Sequence, residues 1–230
     1  MRKSVLVIAC GALAREITVL KQMNGWGHLH LKCIDARLHN RPGLIPGRLR
    51  DMIRQFKDEY DRIFVAYADC GTGGDIDRVL EEEGIERLPG ARCYQFFAGA
   101  ERFAALSEQE PGTFYLTDFL TRHFERFVVR PLRLDEHPEL RDAYFGNYKR
   151  VVFLSQTRDE ALLHAARKAA GRSGSSRPAG GRGSFQCDRL ETVVRRVWIR
   201  RRDTDFRRNR YLQLGHYRGR CGDVFEWPDQ

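Results

Sequence analysis

Short apolar runs alternate with amphipathic segments over the first 170 residues of the chain. Runs rich in β-branched and aromatic residues and bounded by turn residues predict strands at 4–10, 28–35, 62–70, 92–97 and 150–156. Apolar residues spaced by three and four positions predict helices at 12–23, 44–61, 75–84, 99–109, 117–132, 137–149 and 157–172. Because strands alternate with helices, the pattern predicts an α/β fold, with a mostly parallel sheet and helices on both faces in a Rossmann-like three-layer sandwich.

The alternation stops near residue 170. Residues 171–230 contain 14 Arg, no Lys and 7 acidic residues, so they carry +7 of the net charge of +9. We therefore predict an α/β domain over 1–170 and an Arg-rich tail over 171–230 that is disordered or read from a shifted frame. A nucleic-acid-binding arm is the remaining interpretation, but the tail has no recognised reader motif, so we expect no nucleic-acid partner.

Composition narrows the class of protein. A hydrophobic content of 42% is enough for a real core, and no run of eighteen apolar residues occurs, so we expect no membrane association. The apolar run near the first residue ends at Arg15, which favours a strand followed by a helix over a signal peptide. We expect a cytoplasmic protein, in which the 6 Cys are free thiols or metal ligands rather than disulfides.

Three cysteines lie at or near the ends of predicted strands. Cys10 ends the first strand, Cys70 ends the third, and Cys93 lies in the region of the fourth. Ligands of parallel α/β sheets bind beyond the carboxyl ends of the strands, and thiolates select zinc or iron–sulfur clusters. Three thiolates would leave one coordination position open for a substrate or another ligand. The alternative is plain core packing, which is common for free cysteine and which Cys33, inside the second strand, fits best.

Polar residues near the same strand ends are candidates for supporting a ligand; they are Glu16, His39, Arg41, Asp69, Gly71, Gly73 and Gly74. The glycines precede a helix as in a phosphate loop, but they do not match GxGxxG and no Lys follows. Acidic residues at the helix start also repel an anion, so a nucleotide is disfavoured. We expect the glycines to let the backbone approach a ligand near Cys70. Arg41 fits a carboxylate or phosphate contact and a plain turn equally well.

Two further functions remain open from the residues alone. Cys70 precedes a predicted helix, whose N-terminus would lower the pKa of its thiol, so the protein could be a metal-free thiol enzyme. The chain could also be a non-enzymatic accessory or binding protein whose glycine-rich edge docks a partner. The reaction and the substrate do not follow from the sequence.

Five segments together resemble a known family: "IACGALAREI", "LHNRP", "YADCGTGG", "LPGARCYQFFAG" and "EPGTFYLTDFL". They are similar, in the same order and over about residues 4–170, to bacterial and archaeal proteins of the domain-of-unknown-function family DUF1638. The resemblance implies that Cys10, Cys70 and Cys93 correspond to recurrent family cysteines and that Cys33 does not. Many relatives have a His before the third cysteine, where this chain has Arg92, which removes a candidate fourth ligand.

The resemblance implies no settled activity. The family occurs beside one-carbon systems that contain corrinoid-dependent methylamine methyltransferases, which implies a corrinoid or methyltransferase protein as a partner. Both zinc-activated methyl transfer and iron–sulfur reductive activation use thiolates. We therefore predict that Cys10, Cys70 and Cys93 bind one metal centre, an iron–sulfur cluster or zinc. Relatives also continue after "LLHAARKAA" with a further strand, where this chain departs from them.

Overall fold

The computed structural model describes residues 4–157, 159–173 and 190–194. Within them the chain divides into two compact units, with the boundary between Phe96 and Phe97. The strands are β1 Val5–Cys10, β2 Leu29–Ile34, β3 Arg62–Ala66, β4 Glu86–Arg87, β5 Thr113–Thr117, β6 Arg150–Ser155 and β7 Leu190–Val194. The α-helices are α1 Ala14–Met23, α2 Ile45–Phe56, α3 Asp75–Glu83, α4 Tyr94–Ala98, α5 Ala100–Gln109, α6 Asp118–Arg122, α7 Arg141–Phe145 and α8 Glu160–Ser173.

Short helices of other types link these elements. Single-turn 3₁₀ segments occur at Gly11–Leu13, Ala36–Asn40, Pro42–Leu44 and Pro138–Leu140, and a π-helical turn occurs at Glu125–Val129. No helix among the described residues combines the length and the apolar character that crossing a bilayer requires.

The first unit is built on a four-stranded sheet in the order β2-β1-β3-β4, and every adjacent pair is parallel. Val5 of β1 pairs with Leu29 on one side and with Arg62 on the other. The predicted strands at 4–10, 28–35 and 62–70 are confirmed, although β3 ends at Ala66 and leaves Cys70 in the following loop. The α/β fold with a parallel sheet flanked by helices is therefore as predicted.

Helices cover both faces of this sheet because successive crossovers run in opposite directions. Val7 and Ala9 of β1 pack with Ile17 of α1 on one face. The alternate residues Leu6 and Ile8 are fully buried on the other face. The connection from β1 to β2 runs toward one edge of the sheet, and the connections from β2 to β3 and from β3 to β4 run toward the other edge. Because each crossover is right-handed, α1 lies on one face of the sheet and α2 and α3 lie on the opposite face. There α2 and α3 contact each other.

This reversal gives the first unit a topological switch point between β1 and β3. In open parallel sheets, the loops that leave the carboxyl ends of the two strands on either side of such a point diverge and open a crevice, where ligands bind. The loops after β1, β2, β3 and β4 all leave from this edge. Cys10 is the last residue of β1, and the loops after β2, β3 and β4 carry His39, Cys70 and Cys93, respectively.

The second unit contains a three-stranded parallel sheet in the order β5-β6-β7. One face packs against α8 and the segment 124–134 in a core that includes Leu116 and Phe153. On the other face Tyr115 of β5 contacts Phe103 of α5, with ring centroids 5.1 Å apart. The predicted strand at 150–156 and most predicted helices are confirmed. The strands form two sheets, one in each unit, rather than the one sheet that the alternation of strands and helices predicted.

Several elements differ from the sequence prediction. Residues 92–97, predicted as a strand, form a turn and the start of α4, so that prediction is wrong. The segment 113–117 forms β5. This strand was not predicted from the sequence, because turn residues flank the short apolar run. Most of the predicted tail, at 174–189 and 195–230, lies outside the described residues, whereas Leu190–Val194 forms β7 alongside β6.

Candidate metal centre

Three side chains from three separate loops converge at the carboxyl edge of the first sheet. One ligand atom each of His39, Cys70 and Cys93 lies within 4.8 Å of the other two. All three residues are half-buried, and all belong to the first unit. Imidazole nitrogen and thiolate sulfur are the donors that zinc prefers. The trio is therefore a group that could hold a metal ion.

Cys70 occupies a loop whose conformation is fixed by Asp69. The Asp69 carboxylate accepts hydrogen bonds from the Thr72 hydroxyl at 2.6 Å, from the Gly74 amide at 2.8 Å, and from the Gly71 and Gly73 amides at 3.3 Å each. Partial burial opposes ionisation of this carboxyl group, but the four hydrogen bonds lower its pKa. Asp69 thus organises the loop that presents the Cys70 sulfur.

The glycines of this loop allow its left-handed backbone conformation. Gly71, Gly73 and Gly74 have φ values of +89°, +65° and +90°, and a Cβ at any of them would meet no atom within 4 Å. Cys70 itself has φ of +50°, which is uncommon for a residue with a side chain. The amides that would cradle a phosphate are already bonded to Asp69, which agrees with the disfavoured nucleotide function.

Cys93 is brought to Cys70 by backbone pairing beyond the ends of β3 and β4. The Asp69 amide donates to the Gly90 carbonyl at 3.1 Å, and the Cys70 amide donates to the Ala91 carbonyl at 3.0 Å. The two chain segments therefore run side by side past the last strand residues. Cys93 follows two residues later, directly before α4.

The turn that carries Cys93 is held by two side chains. Gln95 accepts hydrogen bonds from the Ala91 amide at 2.7 Å and from the Arg92 amide at 3.3 Å. Arg87 of β4 donates to the Leu88 carbonyl at 2.8 Å and to the Gly90 carbonyl at 3.1 Å. These contacts fix the position of the Cys93 sulfur independently of Cys70.

His39 reaches the site from the 3₁₀ helix Ala36–Asn40 that follows β2. Its Nδ1 lies 3.0 Å from the Ala36 carbonyl oxygen, which can only accept a hydrogen bond. In the neutral imidazole Nδ1 therefore carries the proton and Nε2 carries the free lone pair. Metal-ligating histidines are commonly oriented in this way, with the second ring nitrogen donating to a backbone carbonyl.

Cys10 lies beside this trio but outside it. Its sulfur is 3.9 Å from Nδ1 of His39 and accepts a hydrogen bond from the Ala12 amide at 3.3 Å. Cys10 is almost fully buried, with 1% of its surface exposed. Because Cys10 approaches Nδ1, the nitrogen that already donates to a carbonyl, its sulfur is placed to support His39 rather than to share an ion bound at Nε2.

Tyr67 forms the buried wall of the site. It follows β3 directly, is fully buried, and stacks on the His39 ring with centroids 5.8 Å apart and an interplanar angle of 15°. Burial, together with interactions with Cys10 and Cys70, raises the pKa of the Tyr67 phenol well above its ordinary value. Its hydroxyl has no hydrogen-bond partner among the residues that the structure describes.

In the metal-free protein the thiols and the imidazole form a charged pair. A hydrogen bond from Cys93, together with His39, lowers the pKa of Cys70 to about 5 despite burial. Burial alone would lower the pKa of His39, but its hydrogen bonds to Cys10 and Cys70 raise it to about 10. The hydrogen bond to Cys70 and burial raise the pKa of Cys93. At neutral pH, Cys70 is therefore a thiolate between an imidazolium and a protonated thiol.

The other predicted residues take different positions. Glu16 lies half-buried in the first turn of α1, and Arg41 is exposed between two 3₁₀ helices. Cys33, expected to be packed in the core, is exposed on the edge strand β2, so that expectation is wrong. The prediction that Cys10, Cys70 and Cys93 are the ligands stays a prediction. The structure brings His39 into contact range of two of them.

The sequence predicted His39 only as a residue that supports a ligand, not as a metal ligand itself. Its position after the second parallel strand would have indicated that it is a candidate ligand, since the loops after all parallel strands lie at the same edge of the sheet. Tyr67 was missed because a tyrosine inside an apolar run is usually a core residue, and its position at the strand end does not show in the hydrophobic pattern.

The donor set fits a mononuclear metal ion. Tetrahedral bonds of about 2.3 Å to sulfur and 2.0–2.1 Å to nitrogen separate two ligand atoms by roughly 3.5–3.8 Å. The separations here, up to 4.8 Å, need a contraction of about 1 Å, which side-chain rotations supply. The low pKa of Cys70 favours metal binding, since a ligand thiol must lose its proton, whereas the raised pKa values of His39 and Cys93 oppose it, because both must also be deprotonated to bind.

Comparison with known proteins gives one result. The sequence model of the family described as "Protein of unknown function (DUF1638)" matches residues 33–175, a range that contains His39, Cys70 and Cys93 and begins after Cys10. No curated protein and no solved structure gives a significant match.

Proposed function

The chain belongs to the DUF1638 family, and because that family's description names no activity, we propose a function from the site itself: His39, Cys70 and Cys93 bind one zinc ion at the carboxyl edge of the first sheet. The observation that supports it is the convergence of three soft donor atoms, from loops after three different strands, within 4.8 Å. Such convergence has no structural purpose that hydrophobic side chains would not serve better.

The spacing favours a single ion over an iron–sulfur cluster. Thiolates bound to different irons of a cluster are separated by the iron–iron distance in addition to their two metal–sulfur bonds. Ligand atoms that all lie within 4.8 Å of one another suit one central ion. Zinc is also the ion typical of mixed Cys and His donor sets.

Three protein ligands leave a fourth position open, which is the arrangement of catalytic rather than structural zinc sites. A bound zinc ion would supply Lewis acidity and lower the pKa of a coordinated water or thiol. Two residues orient the ligands: the Ala36 carbonyl fixes the tautomer of His39, and the Asp69 carboxylate fixes the loop that carries Cys70. We propose that the protein activates a small nucleophile at this position.

A role in corrinoid-linked one-carbon metabolism is a finer form of this proposal. It is supported by the chemistry of zinc–thiolate sites, which activate thiols for methyl transfer, and it implies a corrinoid or methyltransferase protein as partner. The resemblance to the family suggests that partner. A pull-down with purified corrinoid protein tests it, and retention that survives zinc removal and Cys70→Ala would point to docking without chemistry.

Metal analysis tests the zinc proposal directly. The protein purified without oxygen is expected to contain about one zinc per chain, little iron and no sulfide, and to give a colourless solution. Substitution with Co²⁺ should produce the intense visible bands of a tetrahedral site with thiolate ligands. The double variant Cys70→Ser/Cys93→Ser should lose the metal, and Cys33→Ser, which removes an exposed thiol of the same unit, should retain it. A folded wild-type protein without metal would refute the proposal.

The second candidate is a metal-free thiol function of Cys70, favoured by its pKa of about 5 beside His39. In this case the alkylation rate of Cys70 by iodoacetamide should be nearly constant above about pH 6 and should fall as the pH drops through 5, because the thiolate is the reactive form. Cys33, whose pKa is raised by partial desolvation and by Cys10, should react appreciably only at high pH.

Peptide mapping of the alkylated protein separates the two candidates. Protection of Cys70 by one equivalent of zinc supports the metal centre. Fast labelling of Cys70 that zinc does not change supports the thiol function instead.

A further inference from the structure

Tyr67 poses a problem that packing does not solve. The residue is fully buried, and its hydroxyl has no hydrogen-bond partner among the described residues. Buried hydroxyl groups nearly always have a partner, because leaving one unsatisfied costs the desolvation of the group. Stacking on His39 explains the ring but not the hydroxyl, since phenylalanine would supply the same stacking.

The position of the hydroxyl suggests what is missing. Tyr67 leaves β3 at the switch-point edge, three residues before Cys70, and its ring lies flat against His39. Its phenol interacts with Cys10 and Cys70, so the hydroxyl faces the side of the site that carries the sulfur atoms. The hydroxyl approaches the Cys10 sulfur, but a thiol is a weak hydrogen-bond acceptor and this contact lacks the geometry of an ordinary hydrogen bond.

We propose that the Tyr67 hydroxyl donates a hydrogen bond to the ligand that fills the fourth coordination position of the metal. The proposal rests on the zinc site formed by His39, Cys70 and Cys93. A phenol is protonated at neutral pH and acts here as a donor, so it selects a ligand with an accepting, negatively charged oxygen, nitrogen or sulfur beside the metal. The ligand class is therefore a small anion, such as a hydroxide, a thiolate or a carboxylate, rather than an amine or a neutral apolar group.

The same arrangement limits the size of the ligand. Tyr67 and Cys10, which flank the site, are buried, and the three ligands are half-buried, so the open position lies under the loops rather than on an exposed surface. A donor fixed by stacking on a ligand-bearing histidine cannot rotate away to admit a bulky group. Tyr67 is thus a specificity-determining residue for a compact anionic ligand.

Anion binding to the cobalt-substituted full-length chain tests this inference. Azide and 2-mercaptoethanol are titrated into wild type and Tyr67→Phe, and binding is followed by the visible bands of Co²⁺. The variant should bind one Co²⁺ with an unchanged spectrum before titration, should unfold at the same or a higher temperature, and should bind both anions about tenfold or more weakly, because it lacks one hydrogen bond to a charged acceptor. Tyr60→Phe, at the opposite end of β3, is the matched control and should bind the anions as wild type does.

Each alternative result has a separate meaning. Equal anion affinity in Tyr67→Phe and wild type would overturn the inference and leave the zinc site standing. A changed cobalt spectrum before anion is added would show that Tyr67 serves a protein thiolate instead, which also overturns it. Failure of wild type to bind Co²⁺ would remove the proposed function, and the inference with it.

Discussion

Zinc affinity should fall about a hundredfold or more when Cys70 or Cys93 is replaced by serine or His39 by glutamine, and only about tenfold when Cys10 is replaced by serine. A structural zinc site gains roughly 10–16 kcal/mol from four ligands, so one ligand contributes about 3 kcal/mol, or somewhat more than a hundredfold in affinity. Residues that orient a ligand typically contribute 10–100-fold. Cys10 belongs to the second group because its sulfur lies 3.9 Å from Nδ1 of His39 and outside the group His39, Cys70 and Cys93.

Competition with a chromophoric zinc chelator measures these affinities at fixed pH. Cys33→Ser is the matched control, since it removes a free thiol from the adjacent strand without touching the trio. The ranking is informative in both directions. If Cys10→Ser were as damaging as Cys70→Ser, and His39→Gln were mild, the ligands would be the three cysteines predicted from the sequence, and the role assigned to His39 would be wrong.

Asp69→Ala should disable the site without removing any ligand. The carboxylate accepts four hydrogen bonds from the loop 71–74, and it holds Cys70 at a positive φ that an unrestrained residue avoids. Hydrogen bonds to a charged group contribute about 1.5–3 kcal/mol each at most, and this loop is partly solvated, so we expect a loss of about 2–4 kcal/mol in the free energy of unfolding. The zinc affinity should fall at least tenfold.

Urea unfolding of the metal-free variants measures the stability change, and the chelator competition measures the affinity. Asp69→Asn keeps one accepting oxygen and should lie between Asp69→Ala and wild type. Asp75→Ala, which removes an exposed carboxylate that pairs with Arg78 in the first turn of α3, is the control and should change stability by less than about 1 kcal/mol. An Asp69→Ala protein with wild-type zinc affinity would show that the Cys70 loop is held by other contacts.

The parallel strands of the first unit were predictable because their signal is local. The runs at β1, β2 and β3 are apolar and end in turn residues, so their approximate bounds and the shared edge of Cys10 and Cys70 followed from the sequence. The carboxyl-edge rule then placed candidate residues at this edge of the sheet, where the structure also has them. Thr117 is the N-cap of α6, where its hydroxyl accepts a hydrogen bond from the Leu120 amide.

The errors arise where distant contacts decide. The segment 92–97 has strand-forming residues, but Gln95 bonds the amides of Ala91 and Arg92 and turns the chain into α4. Cys33 alternates with apolar residues, which is typical of a buried position. It lies, however, on β2, the edge strand of the sheet, where its thiol is exposed to solvent. Which thiol approaches which nitrogen of His39 depends on side-chain positions across three loops, and no spacing in the sequence encodes it.

The origin of the three ligands has a consequence for how the protein tolerates change. His39, Cys70 and Cys93 are separated by roughly thirty and twenty residues of chain, and α2 and α3, which lie between them, contribute no atom to the trio. An ion bound at the strand ends would therefore cross-link the chain and close two long loops. The entropy that this cross-link removes from the unfolded chain would change only slowly with the length of the loops. Shortening or lengthening either helix by one turn should therefore leave the geometry of the three ligands unchanged. Chains that differ widely in the lengths of these helices can retain the same metal centre.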